Sequence, residues 1–152
     1  TRVGNGPFPT EFSQEEMERF KGHKEAREIG TSTGRRRRIG WLDIPLLKEA
    51  IRLNGASSLA ITKLDILDSF DFIKICVRYK NFENPPVVHG HWNTIEPVYE
   101  TLSGWKESTK EIKKVEEFPK NVRLFLSRIE NLLECRINLV SFGPEREKTL
   151  KV

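Results

Sequence analysis

The stretch that decides the fold is an apolar run followed at once by charged and polar residues: Ser58-Leu59-Ala60-Ile61-Thr62-Lys63-Leu64-Asp65. Residues 58–62 have the length and composition of a strand, and they predict one that is buried on both faces. Residues 137–141 form a similar run, which continues into the turn-forming residues 142–144. Ligands of parallel α/β sheets bind beyond the carboxyl ends of the strands. We therefore expect the two segments after these strands to form one site.

Helical and strand patterns alternate along the rest of the chain. Ser13 and Glu16 form a capping-box pattern at the start of a short helix over 14–21. Further helices are predicted after Asp43, ending at Asn54, and over about 120–134, where apolar residues recur at helical spacing. Strands are predicted over 72–79, half-buried, and over 96–101. This alternation predicts an α/β fold, with part of a mainly parallel sheet and flanking helices.

The composition is that of one packed domain. Of the 152 residues, 37% are hydrophobic and 32% charged, which is enough apolar material for a core. No apolar run approaches the ~18 residues of a membrane span, and the first residues lack a signal-peptide pattern. Cys76 and Cys135 are far apart in the sequence, which favours free thiols in a reducing compartment over a disulfide, and Cys76 is expected to be buried on its strand. We expect a cytoplasmic protein without a membrane role.

The positive charge is concentrated in one run of arginines, residues 35–38. The net charge is +4, and without this run the basic residues would equal the 22 acidic ones. Nucleic-acid binders usually spread basic residues along a face, whereas one cluster suits a compact anion such as phosphate or carboxylate. The preceding loop adds three hydroxyls between two glycines: Gly30-Thr31-Ser32-Thr33-Gly34. The composition of the run alone also fits a basic nucleic-acid or nuclear-targeting segment, but Trp41 and Leu42 tie it to folded structure.

Asp65 has the chemistry to select guanine. A carboxylate can accept hydrogen bonds from both N1–H and the exocyclic amino group of guanine, and adenine offers no such pair of donors on that edge. Two hydrogen bonds to a charged group, at roughly 1.5–3 kcal/mol each, discriminate by 10²-fold or more. The stem of Lys63 can lie flat on the base. Charged residues also follow strands for purely structural reasons, so this motif alone leaves both interpretations open.

Metal and nucleophilic chemistry find little support in the sequence. His89 and His91 are two residues apart, but no third ligand is evident nearby, and we expect exposed loop histidines. Cys76 and Cys135 have no evident base partner. We assign no catalytic residue and no metal ligand to this chain.

Five blocks, in this order along the chain, closely resemble the adenylosuccinate synthetase family: Thr1–Glu11, Gly34–Asp43, Thr62–Asp68, Tyr99–Trp105 and Ser141–Arg146. The family joins IMP to L-aspartate with GTP on the way to AMP. The resemblance implies that GTP phosphorylates the 6-oxygen of IMP and that the amine of aspartate then displaces this phosphate.

The resemblance implies roles for the residues of the matching motifs. Ser32, Thr33 and Arg35 would hold aspartate, and Thr31 and Gly34 would shape their loop. Arg35 would also reach IMP, and the backbone of Val3 would contact its ribose. The implied GTP-binding residues are Arg37, Lys63, Leu64, Asp65, Ser141, Phe142 and Gly143, at an end of the sheet like that of P-loop GTPases.

Residues 1–152 are interpreted, by the same resemblance, as the C-terminal half of such an enzyme. An N-terminal half of the enzyme is expected to carry the phosphate loop, the catalytic Asp and His, and the Mg²⁺ ligand. That half would be a further partner of this chain. The isolated chain is then expected to be inactive, and the whole enzyme a homodimer. The alternative is a free-standing guanine-nucleotide-binding module without catalysis.

Overall fold

The computed structural model describes residues 1–2, 4–21, 28–30, 34–68, 70–86 and 89–152, with the backbone alone at Arg19, Lys21 and His89. The chain forms two compact units. The first comprises Thr1–Pro45 and Lys74–Glu100, and the second Leu46–Ile73 and Thr101–Val152.

The predicted helices and strands are present, but they alternate less than predicted, because only 3₁₀ turns separate β2, β3 and β4 in the described residues. The helices are α1 Gln14–Lys21, α2 Ile44–Asn54 and α3 Lys120–Leu133. The strands are β1 Leu42–Asp43, β2 Ser58–Ile61, β3 Phe72–Tyr79, β4 Pro97–Ser103, β5 Arg136–Ser141 and β6 Thr149–Lys151. Short 3₁₀ turns cover Leu64–Leu67, His89–Thr94, Val115–Glu117 and Arg146–Lys148.

The strands form two sheets of three. One has the order β1-β3-β4, with β1 parallel to β3, and the other has the order β2-β5-β6, with β2 parallel to β5. β6 pairs antiparallel with β5, because the few residues that join them allow only a reversal of the chain. The predicted α/β class is confirmed, although the parallel pairs are divided between two sheets.

The prediction that β2 is buried on both faces is wrong. Its side chains are half-buried and Ala60 is exposed. In the part of the chain that the structure describes, β2 is the outer strand of its sheet, so no strand covers its far side. On β5, Ile137 and Val140 are buried whereas Leu139 is 43% exposed.

Helix α3 supplies much of the core of the second unit. Its buried residues recur at helical spacing, as the amphipathic pattern predicts: Val122, Phe125, Leu126, Ile129 and Leu133. Pro119 occupies the N-cap position, where its missing N–H costs nothing. Phe142, which follows β5, is also buried and meets Phe118 edge to face, with ring centroids 6.3 Å apart.

Glu16 joins three parts of the first unit. The capping box is confirmed, since the Ser13 N–H donates to Glu16 Oε2 (3.0 Å) and the Glu16 N–H donates to Ser13 Oγ (3.2 Å). Glu16 Oε1 also accepts hydrogen bonds from Trp41 Nε1 (2.9 Å) and from Lys74 Nζ on β3 (2.8 Å). Burial alone would raise the pKa of Glu16, but the hydrogen bonds from Lys74, Ser13 and Trp41 outweigh it and lower the pKa to about 2.

A buried tyrosine–carboxylate pair links β1 to β3. Asp43 precedes α2 as predicted, and its carboxylate accepts the Tyr79 hydroxyl at 2.8 and 2.9 Å from its two oxygens. Burial and the charge of Asp43 raise the pKa of Tyr79. The Tyr79 hydroxyl therefore stays protonated and continues to donate to the buried carboxylate.

The Glu16 contacts predict a loss of stability in acid. The pKa of Glu16 is about 2 in the folded chain against 4.5 ordinarily, so its contribution is complete above about pH 4.5 and declines as the pH falls toward 2. Glu16→Gln should lower the free energy of unfolding by about 1.5–3 kcal/mol at about pH 6 and by less at about pH 3. Urea denaturation at the two pH values measures both differences.

The matched control is Glu83→Gln, on an exposed side chain of the same unit. It should change stability by less than about 0.5 kcal/mol at either pH. An equal effect of Glu16→Gln at both pH values would contradict the role given to its charge.

Candidate functional site

Residues 28–30 pair antiparallel with residues 34–37 in the first unit. Ile29 pairs with Arg36, the Arg37 N–H donates to the Glu28 carbonyl (2.9 Å), and the Gly30 N–H donates to the Arg35 carbonyl (2.9 Å). The Gly34 N–H then returns to the Gly30 carbonyl at 2.8 Å. The predicted aspartate-binding residues Thr31, Ser32 and Thr33 belong between these two glycines but lie outside the described residues, as does Val3.

Gly34 is required by its backbone conformation. Its φ is +62°, in the left-handed region that favours glycine. A Cβ atom at this position would meet nothing within 4 Å. The glycine is therefore needed for the sharp return of the chain into the arginine run, and not for space.

Arg38 is committed to the structure of the first unit. Its guanidinium donates to both carboxylate oxygens of Glu11 (2.7 and 2.5 Å) and to the Gly6 carbonyl (2.5 Å). It also lies over the Phe8 ring, 5.4 Å from the centroid. The hydrogen bonds from Arg38 lower the pKa of Glu11, as expected for a two-pronged arginine–carboxylate pair.

The backbone of the opening segment runs beside the same residues. The Arg2 N–H donates to the Arg38 carbonyl (2.8 Å), and the Trp41 N–H donates to the Thr10 carbonyl (2.9 Å). The fully buried Thr10 hydroxyl donates back to the Trp41 carbonyl at 2.9 Å. The glycine- and proline-rich start of the chain is thus an ordered loop bound along residues 38–41.

Arg35 and Arg37 are more open to solvent than Arg38. Arg35 is exposed, and one of its amino groups donates to Asn5 Oδ1 at 3.3 Å. Arg37 is 39% exposed and lies 3.5 Å from a carboxylate oxygen of Glu28, whose side chain is 8% exposed. Guanidinium groups held in this way can bind a carboxylate or phosphate. The arrangement therefore agrees with an anion site at Gly34 and Arg35.

The second candidate segment follows β2 and β5. In the parallel register of these strands, Ile61 lies opposite Val140. Residues 62–65 and 141–143 therefore leave the sheet at the same edge, as expected from the sequence. Lys63 has a φ of +59° and starts the 3₁₀ turn Leu64–Leu67, in which Leu64 is buried and Asp65 half-buried.

The segment after β5 is held by local hydrogen bonds. The Ser141 hydroxyl donates to the Gly143 carbonyl (3.0 Å), and the Phe142 N–H donates to the Lys148 carbonyl (3.0 Å). The Phe142 ring is 1% exposed. It is part of the core and cannot be a stacking surface, so any contact of residues 141–143 with a ligand must use other atoms.

Asp68 is the residue of this region that the sequence analysis missed. Its carboxylate accepts hydrogen bonds from Trp105 Nε1 (2.9 Å), from the Thr109 N–H (2.7 Å) and from the Thr109 hydroxyl (3.0 Å). Trp105 and Thr109 are buried. The block Thr62–Asp68 contains this aspartate, but its donors are far along the chain and no local pattern pointed to them.

The histidines and cysteines form no metal centre in the part of the chain that the structure describes, which holds no group of three or more potential ligands. His91 is exposed, and its ring stacks on Phe82 with centroids 6.0 Å apart. Cys76 and Cys135 are free thiols, as predicted, and both are buried. Burial, with a smaller effect of Asp43, raises the pKa of Cys76 to about 12, so the Cys76 thiol is unreactive at neutral pH.

None of the described helices is both long and apolar enough to cross a membrane.

The sequence profile of the adenylosuccinate synthetase family matches residues 1–150.

The chain belongs to the adenylosuccinate synthetase family.

Individual synthetases are similar to this chain over nearly its whole length. Adenylosuccinate synthetases of Desulforapulum autotrophicum and Methanosarcina barkeri are 47% and 46% identical, over 99% of this chain and 35% and 36% of the relatives. A solved structure of fully ligated adenylosuccinate synthetase from Plasmodium falciparum matches with a TM-score of 0.89 and 34% identity, over 99% of this chain and 37% of that one. The chain thus spans about a third of the length of these synthetases. The resemblance stated from its motifs is confirmed for the family.

The contacts of Arg38 predict that lysine cannot replace it in this chain. A lysine has one ammonium group and cannot bind both oxygens of Glu11 and the Gly6 carbonyl together. Arg38→Lys should lower the free energy of unfolding by about 1–2 kcal/mol. Urea denaturation at neutral pH measures the change.

Arg36→Lys is the matched control, because Arg36 is an exposed member of the same run. It should shift stability by less than about 0.5 kcal/mol. Equal effects of the two substitutions would contradict the structural role of Arg38.

Proposed function

We propose that this chain supplies the aspartate loop and the guanine-binding segments of an adenylosuccinate synthetase. The enzyme joins IMP and L-aspartate with hydrolysis of GTP, giving adenylosuccinate, GDP and phosphate. The observation that carries the proposal is the family match over residues 1–150. The relatives that this chain resembles are adenylosuccinate synthetases.

The proposed reaction has two steps. The 6-oxygen of IMP takes the γ-phosphoryl group of GTP, which leaves GDP. The amine of aspartate then attacks C6, the carbon that carries this oxygen, and displaces the phosphate. Phosphorylation is needed because the oxygen alone is a poor leaving group. A magnesium ion would neutralise the charge on the phosphates of GTP. Following the family resemblance, we propose that its ligands and the catalytic Asp and His belong to the remaining, N-terminal part of the enzyme.

We assign aspartate to residues 28–37 of the first unit. Thr31, Ser32, Thr33 and Gly34 would offer hydroxyls and amides to one carboxylate, and Arg35 would bind it and reach IMP. The support from the structure is the exposed guanidinium of Arg35, next to the hydrogen bond from the Gly34 N–H to the Gly30 carbonyl. Val3 would contact the ribose of IMP through its backbone, and Arg37 would approach GTP.

We assign the guanine base to the segments after β2 and β5. Asp65 would accept hydrogen bonds from the base, Lys63 would cover one face, and Leu64 would hold the turn in the core. Ser141, Phe142 and Gly143 would flank the base with backbone atoms or the Ser141 hydroxyl. The support is the parallel register that places Ile61 beside Val140.

We also propose that the enzyme is a cytoplasmic homodimer, as the family resemblance implies.

The proposal is tested by assaying the purified chain with IMP, aspartate, GTP and magnesium. The same assay is run after the chain replaces its counterpart in the M. barkeri synthetase. We expect turnover only in the joined protein. If the joined protein shows no turnover and the chain still binds GDP, the result would favour a non-catalytic guanine-nucleotide module and contradict the ligase.

Arg35→Leu in the joined enzyme should impair the use of aspartate more than the use of GTP. Loss of the guanidinium removes its charge-assisted hydrogen bonds, which are worth roughly 1.5–3 kcal/mol each. We expect kcat/KM for aspartate to fall by at least about tenfold more than kcat/KM for GTP. Arg36→Leu, at the exposed neighbour, is the control. Equal losses for both substrates, or none, would count against the aspartate loop.

Asp65→Asn should change which purine nucleotide the joined enzyme uses. The amide offers a donor where the carboxylate accepted, which opposes the amino group of guanine and suits the oxygen of xanthine at that position. We expect kcat/KM for GTP to fall by about 10²-fold and use of XTP to increase. Asp71→Asn, on an exposed carboxylate, is the control. An unchanged nucleotide preference would remove the guanine assignment.

A further inference from the structure

The 3₁₀ turn Leu64–Leu67 has long backbone hydrogen bonds at its two ends. The Ile66 nitrogen lies 3.4 Å from the Lys63 carbonyl oxygen, and the Asp68 nitrogen lies 3.2 Å from the Asp65 carbonyl oxygen. Such bonds are weaker than those of an α-helix. The positive φ of Lys63 adds strain at the start of the turn. Contacts outside the turn must therefore fix the position of Asp65.

In the part of the chain that the structure describes, the turn is held at both ends, by a buried side chain at its start and by hydrogen bonds at its far end. At the start, the Leu64 side chain is 1% exposed and sits in the core. At the far end, the Asp68 carboxylate accepts hydrogen bonds from Trp105 Nε1 and from the N–H and hydroxyl of Thr109. Asp65 lies between these two points, and its carbonyl accepts the Asp68 N–H. A displacement of Asp68 therefore moves Asp65.

The segment that holds Asp68 is itself rigidly packed. The Trp105 ring meets Phe125 of α3 with centroids 5.8 Å apart. Asn121 Nδ2 donates to the Gly104 carbonyl at 2.7 Å, and the Gly104 N–H donates to the Asp71 carbonyl at 2.8 Å. A side chain at Gly104 would collide with the Phe70 carbonyl oxygen. The donors of Trp105 and Thr109 thus have fixed positions.

We propose that Asp68 is a positioning residue for purine specificity: it holds the turn so that Asp65 meets the amino edge of guanine. This inference rests on the guanine assignment made above. Base discrimination depends on two aligned hydrogen bonds, which weaken steeply when the acceptor moves or rotates. A recognition group must be held within about 0.5 Å, which requires support from residues that do not touch the ligand.

The carboxylate is the group that this arrangement needs. Oδ1 accepts from Trp105 Nε1 and the Thr109 hydroxyl, and Oδ2 accepts from the Thr109 N–H. In Asp68→Asn, one orientation of the amide points its NH₂ at Trp105 Nε1–H and the other at the Thr109 N–H. Each places a donor against a donor. An almost isosteric change therefore breaks the contact.

The first test measures the turn without a nucleotide. Hydrogen exchange is followed by NMR in the 152-residue chain at the amides of Ile66 and residue 68. We expect Asp68→Asn to speed exchange there by at least about tenfold relative to the amide of Ile129, a buried residue of α3. Trp105→Phe, a milder change that removes one donor and keeps a ring beside Phe125, should give a smaller acceleration at the same amides. Unchanged exchange in both variants would overturn the inference.

The matched control is Glu130→Gln, another carboxylate-to-amide change in the second unit. Glu130 Oε1 accepts the Ile137 N–H at 2.8 Å, at the start of β5. It should leave exchange at Ile66 and residue 68 unchanged. Equal acceleration at these amides in the control would overturn the inference, because it would show a general loss of stability.

The second test measures base preference. The wild-type joined enzyme and its Asp68→Asn, Trp105→Phe and Glu130→Gln variants are titrated with GDP and with IDP, which lacks the exocyclic amino group. We expect Asp68→Asn and Trp105→Phe to lower the ratio of GDP to IDP affinity, by about tenfold and severalfold, and Glu130→Gln to preserve it. A preserved ratio in both turn variants would overturn the role of Asp68 in specificity. If the wild-type joined enzyme binds GDP and IDP equally, the result would instead contradict the guanine assignment itself.

Discussion

The parallel pairing of β2 with β5 is the constraint on which the second unit depends. These strands are distant in the sequence, yet their register places Ile61 beside Val140. The segments that follow must then emerge at one edge, because parallel strands end together. Neither segment is a site by itself: one offers a carboxylate on a weak turn, and the other offers a buried ring and a hydroxyl bonded to its own backbone. Their adjacency is what the proposed binding of a flat base requires.

The first unit solves a different problem, since it must hold several like charges close together. Arg38 faces Glu11 and backbone carbonyls, Arg37 faces Glu28, and Arg35 faces Asn5. Oxygen acceptors thus offset the mutual repulsion of the guanidinium groups. The same contacts orient Arg35 and Arg37 and reduce the entropy that they would lose on binding an anion.

Local patterns predicted much of the fold but little of what holds the candidate site. The Ser13–Glu16 capping box, the apolar stripe of α3 and the polar ends of β2 and β5 depend on neighbours in the sequence, and the structure contains all three. The role of Asp68 depends on Trp105 and Thr109, which become its neighbours only on folding. The exposure of Ala60 depends on which strands flank β2, and a short apolar run looks alike in a central or an outer strand.

The pairing of residues 28–30 with 34–37 also explains why four consecutive arginines are not four copies of one residue. Successive side chains on an extended strand point to opposite faces, so each position has its own partner. Deleting one arginine codon would leave the composition almost intact while shifting the remaining side chains by one place against Glu28 and Glu11. A gene could thus keep a visibly arginine-rich segment and lose its function. In this stretch, the contacts depend on register as well as on charge.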